Sequence, residues 1–261
     1  MFAKIQALFR VFALGATIRD RVGLFFFYKR RFLQNRIPFL SASTKLCRYT
    51  IRFENGVYQV FLRQILDIHV LREMFVDEQY RIDHSETVKN VLDIGANVGF
   101  SLIYFAHKFP NARIIAVEPH PGCQEQLLAH ARQFGERVIV VPKALSNAGG
   151  SVTFYLNQEH WSASIYKRRD SKEVTVETIS LRVLLDMFHG QSVDVMKCDI
   201  EGAEFEAVLP EDLNSVRILI AELHPDIAHV NVDAYLDRFT DFICVERKPI
   251  GQHVHVILKK K

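Results

Sequence analysis

Six side chains have the types and spacings to do chemistry together: Asp93, Glu118, Asp199, Glu201, Glu222 and His224. Asp93, Glu118, Asp199 and Glu222 close short apolar runs, Val91-Leu92-Asp93, Ala116-Val117-Glu118, Val195-Met196-Lys197-Cys198-Asp199 and Ile220-Ala221-Glu222, each of a length suited to a buried strand. In open α/β sheets the ligand sits beyond the carboxyl ends of the strands. A carboxylate is costly to bury without a partner, so a rim of four suits a polar or cationic ligand. Singly, each reads as well as an N-cap or a solvated strand end. Asp199 and Glu201, two residues apart, share one side if the backbone stays extended. Either suits a base for a hydroxyl proton, or a ligand for a divalent cation that acidifies that hydroxyl. For Glu201 the plain alternative is an acid at a helix start. His224, two residues after Glu222, titrates in the range general-base work needs, or is a solvated loop residue.

The elements that must position these groups follow from periodicity. Val91 to Ile94 reads as a strand covered on both faces, and Gly95-Ala96-Asn97-Val98-Gly99 as a tight turn into a helix over Phe100 to Lys108. Further strands are expected at 112–118, 138–141, 193–199 and 217–223, with helices over 124–134 and 203–209. Ser151 to Leu156 and Val174 to Ile179 flank a polar loop containing His160, Trp161 and Ser164, and 242–246 with 253–258 reads as a closing antiparallel hairpin. Ahead of the core, 46–53 and 57–62 alternate as a β-hairpin, and Ile65 to Tyr80 reads as helix. At the start, Phe2, Ile5, Leu8, Phe9 and Phe12 share a helical face, and Leu24 to Tyr28 abuts Lys29-Arg30-Arg31. The expected organisation is a basic helical extension (1–45), a hairpin and helix leading into the core (46–80) and a ligand-binding domain (81–261). Strands alternating with helices imply a doubly wound α/β sheet.

The 261 residues, 49% hydrophobic and 24% charged, suit a globular protein with a sizeable core. The net charge of +3 is uneven, because residues 1–40 hold eight basic side chains against Asp20 alone. The body is mildly acidic and gives no footprint for a nucleic-acid partner. The basic, aromatic start suits packing on the body, contact with a second subunit, or peripheral contact with an anionic membrane surface. Four scattered cysteines form no CxxC pair, which points to a reducing, cytoplasmic setting. No apolar run reaches the ~20 residues of a membrane span.

Glu118 lies 25 residues after Asp93, which suits a carboxylate accepting ribose hydroxyls. An NAD(P)-dependent oxidoreductase uses the same device, and a non-catalytic module that binds a partner or membrane surface is a further alternative. A dinucleotide loop needs G-x-G-x-x-G for its pyrophosphate. Here Asn97 and the neighbouring acid suit a positively charged cofactor without phosphate, such as S-adenosylmethionine. The blocks Val91-Leu92-Asp93-Ile94-Gly95-Ala96-Asn97-Val98-Gly99-Phe100-Ser101, Ala116-Val117-Glu118-Pro119, Ala144-Leu145-Ser146 and Lys197-Cys198-Asp199-Ile200-Glu201-Gly202-Ala203-Glu204 resemble those of FkbM-type methyltransferases, in the same order. The resemblance runs from about Tyr80 to Lys259.

That resemblance implies a seven-stranded, mostly parallel class I methyltransferase (Rossmann-like) sheet and S-adenosylmethionine as donor. The acceptor it implies is usually a hydroxyl on a sugar or other small metabolite. It implies a cofactor set of Asp93, Gly95, Ala96, Asn97, Gly99, Glu118, Pro119, Ala144, Leu145 and Asp199. Of these, Gly95, Asn97 and Gly99 would line the methionine end, Glu118 the ribose and Ala144-Leu145 the adenine edge. Asp199, Glu201 and His224 are the catalytic candidates, with Asp199 and Glu201 the ligands if a divalent cation is used. His160, Trp161 and Glu222 are expected on the acceptor side, with Tyr166 nearby; an exposed lid packed by its own aromatic is the competing reading of that loop. His253 and His255 are expected to be structural, and Cys198 a buried apolar filler.

Overall fold

The computed structural model describes residues 2–34, 45–82, 87–147, 149–156, 163–167 and 171–261. Two helices, α1 (Phe2–Ala13) and α2 (Ile18–Gln34), precede a hairpin of β1 (Cys47–Phe53) and β2 (Gly56–Leu62), and α3 (Ile65–Phe75) leads into the core. The core begins β3 (Asn90–Ile94), α4 (Phe100–Lys108), β4 (Arg113–Val117), α5 (Gln124–Ala131), β5 (Val138–Val141). It continues through β6 (Ala144–Leu145), β7 (Ser151–Leu156), β8 (Lys172–Ile179), α6 (Leu181–Asp186), β9 (Val193–Cys198) and α7 (Glu204–Ala207). The chain ends with β10 (Val216–Leu223), α8 (Pro225–Ala228), α9 (Val232–Leu236), β11 (Phe242–Ile250) and β12 (His253–Lys260).

Seven strands form the main sheet in the order β11-β12-β10-β9-β3-β4-β5. All pairings from β10 to β5 are parallel, and β12 runs antiparallel to both its neighbours. Every residue of β3 and β9 is buried, as expected of central strands covered on both faces. From β3 the chain winds outward through β4 and β5, and from β9 it winds the other way to β10. Strand order therefore reverses between β3 and β9, which puts a crevice at their carboxyl ends. A smaller sheet of order β6-β8-β7 stands beside this end.

The leading helices are built into the body. Val11, Leu24 and Phe27 are buried in one apolar cluster with Ile51, Val91 and Phe100. The Ala16 and Arg52 amides donate to the carbonyls of Thr50 and Leu14, and Asp20 Oδ1 accepts the Thr50 N–H at 2.9 Å. Phe9, expected on the packing face, is exposed, as are Ile18 and Phe26. Among the described residues no helix is long and apolar enough to cross a membrane.

Three helices end earlier than their sequence pattern suggests. α3 stops at Phe75 rather than Tyr80, because the chain turns at Glu78 with φ +46. That turn carries Gln79 and Tyr80 back over the sheet end. α5 stops at Ala131 and gives way to a 3-10 segment, Arg132–Arg137, broken at Gly135. α7 spans only Glu204–Ala207, since Pro210 begins a separate 3-10 turn and Gly202 lies in left-handed conformation before it.

Candidate active site

The loop after β3 is shaped by backbone conformations that few residues adopt. Gly95, Asn97 and Gly99 all have positive φ, +77°, +50° and +95°. At Gly95 a Cβ would lie 1.8 Å from the Asp199 carbonyl oxygen, so only glycine lets the loops after β3 and β9 touch backbone to backbone. The Gly95 and Ala96 amides both donate to Val117 O, at 2.9 and 3.0 Å, which ties the loop to the end of β4. There Glu118, 7% exposed, accepts the Asn97 N–H on Oε2 (2.9 Å) and the His120 N–H on Oε1 (2.7 Å). Burial pushes its carboxyl up to about 7 against the pull of those amides.

Behind the loop lies a buried ion pair. Asp93, fully buried, accepts the Ser101 hydroxyl at 2.7 Å and faces the Lys197 ammonium at 3.6 Å. Lys197 donates to the Gly95 carbonyl at 2.5 Å and lies 3.8 Å from Asp199. Burial alone would lower the Lys197 pKa, but Asp93 and Asp199 outweigh it and hold the ammonium charged. Asp93 thus fixes Lys197, and Lys197 fixes the loop.

The second group of acids converges on one histidine. Glu201 sits at φ +55°, so the backbone from Asp199 is not extended as expected, yet both carboxylates still face the same point. His224 Nε2 lies 3.9 Å from Asp199 Oδ1, 3.8 Å from Glu201 Oε1 and 4.0 Å from Glu222 Oε1. Its Nδ1 is 3.0 Å from Glu204 Oε1. Glu204 is locked in turn by the Ile200 and Gly202 amides at 2.8 and 2.9 Å. Burial would lower the His224 pKa, but Glu204 and then Asp199 and Glu201 push it up to about 10. A histidine that retains its proton at neutral pH is poorly suited to the free base expected of it. Asp199 is pushed up to about 6, by burial and then by Glu222, while the Tyr80 hydroxyl donates to its Oδ2 at 3.1 Å. Glu222 is held below its usual range, its burial outweighed by His253 Nδ1 at 3.0 Å and the His224 charge, and it also accepts from Gln79 at 2.8 Å.

These groups surround a cavity of about 400 Å³ at the reversal point. Gly95, Ala96, Asn97, Glu118 and Pro119 line one end, Ala144 and Leu145 the edge, and Asp199, Glu201 and Glu222 the other end. Asp93, Gly99 and His224 stand behind its wall rather than in it. His160 and Trp161 lie outside the described residues. Tyr166 bonds Glu206 at 2.8 Å.

Several participants escaped the sequence reading. His253, expected to be structural, lines the cavity from the tip of the closing hairpin and pairs with Glu222. Lys197 was legible only as part of a motif, although a lysine inside an apolar strand is itself a signal of a buried partner. Tyr80 was hidden by the expectation of a continuous helix. A wall from α3, with Leu66, Val70, Met74 and Glu73, had no motif to reveal it; burial pushes Glu73 up to about 7.

Comparison with known proteins adds an independent line. A family model described as the methyltransferase FkbM domain matches residues 93–244. The hexuronic acid methyltransferase AglP of Haloferax volcanii is 25% identical over 148 residues, 56% of this chain and 60% of that protein. Methyltransferase sdnD of Sordaria araneosa is 26% identical over 172 residues, 53% of this chain and 66% of that protein. The chain thus aligns with somewhat less than two thirds of either relative's length. Among solved structures, a fibrillarin/Nop5p complex chain superposes with a TM-score of 0.51 at 14% identity, covering 84% of this chain and 98% of that one, a likeness of fold.

Proposed function

The chain belongs to the FkbM methyltransferase family, and from that membership we propose that it transfers a methyl group from S-adenosylmethionine to a hydroxyl oxygen of a sugar or related small metabolite. The observation that carries the donor assignment is Glu118. It is buried at the end of β4, oriented by two backbone amides and open to the cavity, where a vicinal diol would bind. The acidic lining of Glu118, Asp199, Glu201 and Glu222 fits a cofactor bearing positive charge and no phosphate. On this reading Gly95, Ala96 and Asn97 hold the amino-acid end, Glu118 the ribose and Ala144 with Leu145 the adenine.

Bound there, S-adenosylmethionine supplies an electrophilic methyl carbon on sulfur. The chain's share of an in-line displacement is alignment and the removal of one proton. Asp199 is the residue proposed to receive the acceptor's hydroxyl proton as the oxygen forms its bond to carbon. It faces the cavity with Tyr80 fixing one oxygen. His224 is proposed as a positioning residue, holding Asp199, Glu201 and Glu222 around one point. A sugar acceptor is supported by the named activity of AglP, and the wall from α3 together with residues 157–167 is proposed to select it.

Isothermal titration with S-adenosylhomocysteine and with NADH tests the donor, and binding of NADH alone would overturn the assignment. Transfer of labelled methyl groups into a panel of uronic acids and neutral glycosides tests the acceptor.

A further inference from the structure

The arrangement of donor atoms around His224 points to an ion site. Its Nδ1 is engaged by Glu204, a carboxylate that two backbone amides hold in place. With that nitrogen donating, Nε2 is directed at Asp199, Glu201 and Glu222, 3.8 to 4.0 Å away, and an ion bound there would displace its proton. Carboxylates gathered on one point repel one another unless a positive charge sits among them, and a divalent ion can take over that role from the imidazolium by replacing its Nε2 proton. Ligands that share an ion at about 2.1 Å lie about 3 to 4.3 Å apart, which the distances from His224 Nε2 to Asp199 and Glu201 match. One donor atom each from Asp199, Glu201 and His224 falls within 4.8 Å of the others. A carboxylate that orients a histidine through its far nitrogen is the outer partner metal-binding imidazoles commonly have.

We infer that Asp199, Glu201 and His224 Nε2 form a binding site for a divalent first-row transition-metal ion, with Glu222 at its edge. His253 holds Glu222 in place through its Nδ1, and Glu204 holds His224. One imidazole among carboxylates favours manganese or zinc over magnesium or calcium, whose preferred ligands are all oxygen. The cavity side of the site is open, since Asp199, Glu201 and Glu222 also line the pocket. An acceptor oxygen could therefore complete the coordination. Binding of the ion itself does not depend on methyl transfer.

The test is titration of untagged, chelator-treated protein with Mn²⁺, followed by electron paramagnetic resonance and calorimetry, with Zn²⁺ and Mg²⁺ in parallel. One Mn²⁺ or Zn²⁺ per chain is expected, with Mg²⁺ weaker. Glu201→Gln should weaken Mn²⁺ by about tenfold or more, and Glu222→Gln and His253→Gln by less. S-adenosylhomocysteine affinity, measured on the same samples, reports folding and the donor site. Failure to bind either metal at about 1 mM would overturn the inference. So would equal affinity in wild type and Glu201→Gln. If the metal binds and the homocysteine analogue does not, the donor assignment falls and the metal site stands.

Discussion

Glu118 combines two properties that ordinarily conflict, near-complete burial and an acidic group. Its folded pKa of about 7 stands above its ordinary value of 4.5, so its contribution to stability is fully present below about pH 4.5 and is lost as pH rises through 7. Relative to Glu118→Gln, the ligand-free wild type should therefore lose up to about 3 kcal/mol between pH 5 and 8, whatever the offset at pH 5. Scanning fluorimetry across that range reads the difference. Glu118→Ala should cost at least about tenfold in S-adenosylhomocysteine affinity by calorimetry. Gly95→Ala is a second test at this scale. A Cβ 1.8 Å from Asp199 O, on a residue at φ +77°, should destabilise the protein by about 3 kcal/mol or more in urea unfolding. Both residues were legible in the sequence, because a glycine turn and an acid at the next strand end are local patterns. Lys197, Tyr80 and His253 were not, because their roles arise from groups more than thirty residues away that only the sheet register brings near.

At the scale of elements, His130 of α5 is the tie between the leading hairpin and the cofactor loop. Its Nδ1 donates to Val98 O at 2.6 Å, and its Nε2 accepts the Phe61 N–H at 2.9 Å, so the neutral ring satisfies both partners. Burial lowers its pKa to about 4. The unfolded chain takes up that proton near pH 6.5 and the native one does not, so stability should fall by up to about 3 kcal/mol from pH 6.5 to 4. His130→Ala leaves an amide and a carbonyl unpaired beside a void. It should cost about 2 to 4 kcal/mol and flatten the acid slope in denaturant titrations. The strands that carry this arrangement were evident as apolar runs, and α4 agrees with its expected bounds. β6 was invisible, since two residues have no periodicity, and the early end of α3 was missed because a polar turn at Glu78 looks helical until the next contact is known.

Over the whole molecule, one apolar cluster runs from Val11 through Ile51 and Val91 to Ile257. The leading helices, hairpin and sheet should therefore melt together, and calorimetry should record a single transition. Removing residues 1–40 should lower its midpoint, by about 5 °C or more, rather than delete a separate step. The contact of Gly95 with Asp199 O has a further consequence, for engineering by exchange of parts. Where Gly95 meets Asp199 O no side chain can compensate, and Lys197 adds a bond to the Gly95 carbonyl and an ion pair with Asp93, so 93–99 and 197–204 have to be moved between homologues as a matched pair. The β7–β8 arm, which meets them through side chains, can be exchanged on its own. Chimeras that split the pair should misfold, while those that swap the arm should fold with a changed choice of acceptor.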